Sequence, residues 1–208
     1  MNLHEYRDMK IFLFFSTLLI SVYASAGPFG LSKGMSLDEV KKKGPFVITE
    51  VQYIYKSKTT AEGHPDIESY ILTITPDHGL CKIIAISKTI NTSQYGEELR
   101  SKYDDIIFSL LKKYGEPNDK FDLLKDGSIW NESRDWMMSL IKEERVLFTY
   151  WSKTSGKLRS TNLSDSIKSI AVEAGAYSNT KGYYKLIYDF DNIGNCVATI
   201  KSKRDANL

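Results

Sequence analysis

The chain predicts an α+β protein with antiparallel sheet, in two related halves, each a helix or helix pair followed by a three-stranded antiparallel sheet. Three observations carry this. Segments 51–55, 68–75 and 80–87, and again 145–151, 167–174 and 183–190, are rich in β-branched and aromatic residues and bounded by turn-formers. Helical signals stand ahead of each run, at 37–43 before the first and at 95–114, with a second helix from Ser133, before the other. Strands therefore come in runs and do not alternate singly with helices, which argues against a parallel βαβ sheet. The halves divide into residues 27–90 and 91–208.

Ahead of both halves, residues 11–22, IFLFFSTLLISV, carry no charge. The run is shorter than the roughly 20 residues a membrane-spanning helix needs and reads as a signal-peptide core. Ala24 and Ala26 fit the small-residue pattern of a cleavage site, so residues 1–26 are expected to be removed after Ala26. Glu5 and Asp8 cancel Arg7 and Lys10, and a start at Met9 would restore the usual positive opening. An uncleaved N-terminal anchor is the other reading. No cysteine lies near the cleavage point, so no lipid attachment and no stable membrane anchor is expected; the predicted location is a bacterial periplasm.

The first helix is defined by its ends. Ser36-Leu37-Asp38-Glu39 is a capping box, and Met35 and Val40 occupy the two positions of a hydrophobic staple. Acids in the first turn and Lys41, Lys42 and Lys43 in the last suit the helix dipole. Gly44 is expected in the left-handed conformation that ends a helix, with Pro45 preventing continuation. Lys56–Pro65 reads as a polar loop. Pro76-Asp77-His78-Gly79 is a hairpin connection, with glycine at the corner that needs positive φ. Alternation predicts Tyr70, Leu72 and Ile74 on one face, and Leu80, Ile84 and Ile86 together, with Lys82 the exception in that row.

Leu99, Tyr103, Ile106, Ile107, Leu110, Leu111 and Tyr114 then recur at spacings of three and four, the stripe of an amphipathic helix stopped by Gly115 and Pro117. A loop with the turn signal Asp126-Gly127 leads to a helix capped at Ser133 and running through Trp136, Met137, Leu140 and Ile141. After the last three strands, Asn192–Asn195 reads as a turn and Cys196–Ile200 as a short strand. The helix ends Lys41-Lys42-Lys43-Gly44-Pro45 and Lys112-Lys113-Tyr114-Gly115-Glu116-Pro117 are alike. A duplication and a coincidence of capping rules both account for that likeness.

Composition bounds the partners. A net charge of +2 gives no electrostatic reason to expect nucleic acid. Thirteen tyrosines suit strands and, secondarily, a protein-binding surface. The two cysteines, Cys81 and Cys196, are expected to pair in an oxidising compartment, the other reading being two separately buried thiols.

The stretch Gly30-Leu31-Ser32-Lys33-Gly34-Met35-Ser36-Leu37-Asp38-Glu39-Val40, with Gly44-Pro45 after it, resembles the helix-opening motif of the SmpA/OmlA-type small periplasmic proteins, assembly factors for outer-membrane barrels. The resemblance covers about fifteen residues and implies helix followed by a three-stranded antiparallel sheet. The lipid-bearing cysteine of that family is missing here. The same fold is similar to that of secreted inhibitors and of immunity proteins that protect bacteria from toxins in the periplasm, so the resemblance implies a binding module.

Catalytic and cofactor chemistry is not signalled. Gly30–Ser36 places lysine before the glycine, unlike a phosphate-binding P-loop. His64 and His78 have no partners at metal-ligand spacing, and no G-x-S-x-G elbow occurs. Glu132, Asp135, Glu143 and Glu144 beside the tryptophans leave a cell-wall hydrolase as a third-ranked reading. Two of Trp130, Trp136 and Trp151 are expected to pack the second helix pair onto its sheet, since tryptophan carries large buried area, and an exposed one to anchor a partner; with Phe148 and Tyr150 these three form the candidate interface, because aromatic residues dominate binding hot spots. Phe148 and Tyr150 alternate with Leu147 and Trp151, so one face of that strand awaits a partner. The sequence thus predicts a non-enzymatic exported module binding another protein, foremost an immunity-type inhibitor of an envelope-acting toxin. The runner-up is an envelope-assembly factor.

Overall fold

Local chemistry sets the first element as read. In the computed structural model, which describes residues 27–153, 163 and 166–206, helix α1 spans Leu37–Lys41. The Ser36 hydroxyl accepts from the Glu39 N–H at 3.3 Å, and the Glu39 carboxylate accepts from the Ser36 N–H at 2.8 Å. That N–H, together with the Ser36 hydroxyl, holds the Glu39 carboxyl below its ordinary range. Val40 is buried and Met35 packs half-buried against the core, as a staple should. Gly44 departs from expectation, because its φ is not positive. What a side chain there would meet is the Thr59 carbonyl oxygen, 2.6 Å from a Cβ, so close backbone approach is what requires glycine. The expected signal segment, 1–26, lies outside the described residues.

Strands β1 (Val47–Ile48), β2 (Ile54–Ser57), β3 (Ile67–Thr75), β4 (Gly79–Ser87) and β5 (Ile90–Asn91) come next. The predicted strand at 51–55 is displaced, since Val51–Tyr53 form the turn between β1 and β2, with Tyr53 at φ 67°. Gly79 has φ 63° at the hairpin corner, as expected. Helix α2 (Glu97–Tyr114) leads to β6 (Asp119–Leu124), a strand with no periodic signature of its own. A 3₁₀ turn at Ser133–Asp135 enters α3 (Trp136–Ile141), and Ser133 lies within that turn instead of capping it. Strands β7 (Arg145–Ser152), β8 (Ile167–Ser178) and β9 (Lys181–Phe190) follow, then helix α4 (Ile193–Asp205). The expected strand at 196–200 is therefore helix.

All pairings are antiparallel, and the strands form a nine-stranded sheet ordered β1-β2-β3-β4-β9-β8-β7-β6, with β5 also on β9. Two free-standing three-stranded sheets are not formed: the third strand of each predicted run, β4 and β9, pair over Lys82–Ile86 and Lys185–Asp189. Joining them removes two unpaired edges from the middle of the molecule. One face carries the core. Tyr55, Leu72, Ile83, Tyr188, Ile170 and Trp151 stand in register across six strands, all buried. Helix α2 lies over them. Its buried Tyr103 hydroxyl bonds Thr149 Oγ1 at 2.8 Å and the Val172 carbonyl oxygen at 3.1 Å, and burial pushes that phenol far up.

The phase expected for β4 changes partway along it. Ile74 pairs with Leu80 but Thr73 with Lys82, so Cys81 is the extra residue of a bulge. Past the bulge Ile83 and Ala85 join Leu80 in the core, while Ile84 and Ile86 turn to the other side. On that other side, Cys81 is disulfide-bonded to Cys196 of α4, with Cα atoms 6.5 Å apart. Thr75, which alternates with buried Ile74, has its Oγ1 3.2 Å from Cys196 Sγ, so α4 lies across the sheet from α2. Asn192 Nδ2 donates to the carbonyl oxygens of His78 and Leu80 at 2.8 and 3.1 Å, fixing the start of α4 on the β3–β4 hairpin.

Gly96 opens α2 at φ 70°, and a Cβ there would stand 2.1 Å from Trp136 Cε3. Gly127 has φ 77° with nothing within 4 Å of such a Cβ. Gly127→Ala is therefore expected to lose only the left-handed penalty, about 1–2 kcal/mol. Gly96→Ala should lose that and an overpacking cost of about 1–3 kcal/mol more. Urea unfolding of both variants checks the difference, and equal midpoints would refute the packing contribution.

Candidate functional site: the open face of the sheet

The side of the sheet away from α2 is covered at its β3–β4 end by α4 and is only half-buried across the middle. Two rows run over it. Ile71, Ile84, Ile187, Ala171 and Tyr150 stand in register on β3, β4, β9, β8 and β7. Beside them run Ile86, Lys185, Glu173, Phe148 and Phe121, on β4, β9, β8, β7 and β6. Every one of these side chains is intermediate in exposure. The alternation that buries Leu147 and Trp151 on one side necessarily places Phe148 and Tyr150 on the other.

Three rings collect at the β6–β7 end. Phe121 lies 6.5 Å from Phe148 and 6.3 Å from Tyr150, and Phe148 lies 5.9 Å from Tyr150, all stacked. The isoleucines of β3, β4 and β9 form the other apolar end. Between the two ends charges are paired across strands, Lys185 with Glu173 at 3.5 Å and, on the far side of the Ile84–Ile187 row, Lys82 with Asp189 at 3.2 Å. Such half-exposed pairs contribute at most about 1 kcal/mol each, and within each pair the two charges offset one another. The rings and isoleucines suit a shape-based contact.

The five aromatic residues expected at an interface divide. Phe148 and Tyr150 are on the open face. Trp151 is fully buried, its Nε1 donating to the Gly115 carbonyl oxygen at 2.8 Å, so it joins β7 to the end of α2. Trp136 is 5% exposed, wedged on Gly96 and overlaid by the guanidinium groups of Arg100 and Arg145 at 5.2 and 5.8 Å from the ring centre. Neither can anchor a partner without unpacking the core. Trp130 is half-buried in the loop before the 3₁₀ turn, outside the strands that carry the aromatic trio. Phe121 is the residue missed, because DKFDLL carries only one aromatic residue and two acids, and reads as loop until β7 pairs with it.

His78 sits in the β3–β4 turn and His64 in the loop before β3. Among the described residues, no three His, Cys, Asp or Glu side chains gather as a metal ion would need, and no helix is long and apolar enough to cross a membrane. Compared with protein-family models, curated proteins and solved structures, the chain finds no match.

Proposed function

We propose that the protein is an exported, non-enzymatic binding module of the periplasm, an immunity-type inhibitor that caps an envelope-acting toxin with the open face of its sheet. The observation that carries this reading is the stacked trio of Phe121, Phe148 and Tyr150 on that face. Aromatic residues that are neither solvated fully nor covered by their own chain are the usual anchors of protein interfaces. The partner that fits is a protein presenting an apolar ridge, because the face offers rings and isoleucines and pairs Lys185 with Glu173 and Lys82 with Asp189 within itself. Export is supported by the sequence of residues 1–26, and the Cys81–Cys196 disulfide suits an oxidising compartment. We further read residues 27–90 and 91–208 as related halves. The mirrored order β2-β3-β4 and β9-β8-β7, together with the two lysine-rich helix ends, supports this. The helix-opening likeness to SmpA/OmlA-type proteins favours a second reading, an envelope-assembly factor using the same face.

The test is photo-crosslinking from position 148 or 150 in cells that make the protein, with position 51 on the β1–β2 turn as the control. The expected result is a stoichiometric protein partner captured from the open face alone. Its toxicity should be neutralised by the purified protein, and Phe148→Asp or Tyr150→Asp should weaken binding by about 2 kcal/mol or more while leaving the circular dichroism unchanged. A partner that belongs to barrel assembly and has no toxicity would select the second reading. No stoichiometric partner through the open face, in toxin-bearing or ordinary cells, would overturn both.

A further inference from the structure

A cleft lies on the opposite side of the sheet, between α2 and the strand ends β3–β5, with a volume of about 320 Å³. That is the lower end of the range for small-ligand sites, roughly 300–1,000 Å³. Each wall carries charge of both signs. Asp66 and Lys88 come from the β3 and β4 ends, and Lys102 and Asp105 from one face of α2. None of the four makes an ion pair among the described residues. His64, beside Asp66, is already engaged, its Nδ1 accepting the Asp66 N–H at 3.2 Å.

The floor is Tyr184, only 3% exposed. Its hydroxyl has no hydrogen-bond partner among the described residues, although its backbone N–H donates to Ser87 Oγ at 3.0 Å. The hydroxyl opens to the solvent of the cleft, so a ligand that enters meets an oxygen not engaged by the protein. The field at this hydroxyl is negative: burial first, then the Asp66 and Asp105 carboxylates, push the phenol up to about 12. It therefore keeps its proton at any physiological pH, and its oxygen retains lone pairs for an incoming donor. Ile90 and Ile106 supply the apolar part of the lining.

We propose that this cleft binds a small zwitterion, a free amino acid or dipeptide. Its ammonium group sits among Asp66, Asp105 and the Tyr184 hydroxyl, and its carboxylate meets Lys88 and Lys102. The four charges stand exposed around one cavity, and their two signs complement a ligand bearing both better than a ligand bearing one. The site is separate from the open face and does not depend on the protein-binding reading.

Titration of the full mature chain, followed by amide NMR shifts, tests this with leucine and leucyl-leucine as the zwitterions. Leucinamide serves as the probe lacking the carboxylate and N-acetylleucine as the probe lacking the ammonium. Saturable shifts at Lys88, Ile90 and Ile106 are expected with a zwitterion, about tenfold weaker or more with either blocked probe. Tyr184→Phe, which keeps the ring and so the packing, should weaken zwitterion binding to a similar degree, as should Asp66→Asn. Absence of saturable shifts with both zwitterions overturns the proposal. So does equal affinity for N-acetylleucine, which would remove the ammonium site, or for leucinamide, which would remove the role of the lysines.

Discussion

Replacing both cysteines, Cys81→Ser with Cys196→Ser, is expected to lower the stability of the folded chain by about 4–5 kcal/mol on the chain-entropy account. The size follows from the sequence separation of 115 residues, which makes the closed loop long and the unfolded chain correspondingly freer without it. The effect should also be local. Cys196 is the buried residue of α4, whereas Val197 next to it is 56% exposed, so little apolar area holds this helix to the sheet. Without the bond, α4 should leave the β3–β4 hairpin before the sheet itself opens, and Thr75 on the open face should gain solvent. Urea unfolding of the double serine variant measures the first effect, and amide hydrogen exchange over Ile193–Asp205 measures the second. Unchanged unfolding and unchanged exchange in α4 would show that hairpin contacts, not the bond, secure the helix.

The second large effect is expected at Trp151. Truncation to alanine should cost about 3–5 kcal/mol for the cavity alone, since the side chain is fully buried in the row shared with Ile170 and Tyr188. The lost bond from its Nε1 leaves the Gly115 carbonyl oxygen at the end of α2 without that donor, adding about 1–3 kcal/mol if no water replaces it. Trp151→Phe separates the two contributions, because it keeps most of the ring and removes the donor. Calorimetric unfolding of both variants should place the phenylalanine form between wild type and the alanine form. Alanine behaving like phenylalanine would mean that the core closes over the cavity and only the hydrogen bond counts.

These two residues also show how far the sequence could be read. The number of cysteines and the expected compartment predict the Cys81–Cys196 bond without the fold. The sequence expects two of the three tryptophans in the core, and Trp136 and Trp151 are those two; it cannot say which, because a strand's alternation says that Leu147 and Trp151 share a face and not which face meets helices. The same alternation correctly separated Phe148 and Tyr150 from them. Phe121 and Tyr184 could not be found. One belongs to an edge strand that exists only through pairing with β7, and the other draws its interest from Asp66 and Asp105, more than seventy residues away in the chain.

What the sequence by itself determined is everything governed by neighbours within a few residues. It set the capping box of α1, the stripe and basic end of α2, the glycine corner at Gly79, the long strands and hence the antiparallel α+β class. Tertiary structure decided the rest. Pairing of β4 with β9 merges two runs of strands into one sheet, a bulge at Cys81 moves Ile83 and Ala85 into the core, and Cys196–Ile200 folds as helix, linked to β4 through Cys196, although its β-branched residues suggest strand. The physical reason is range. Caps and periodicity are enforced by hydrogen bonds and contacts within one turn, whereas register, edge pairing and the choice of buried face are set by residues a hundred positions apart, which no local pattern encodes.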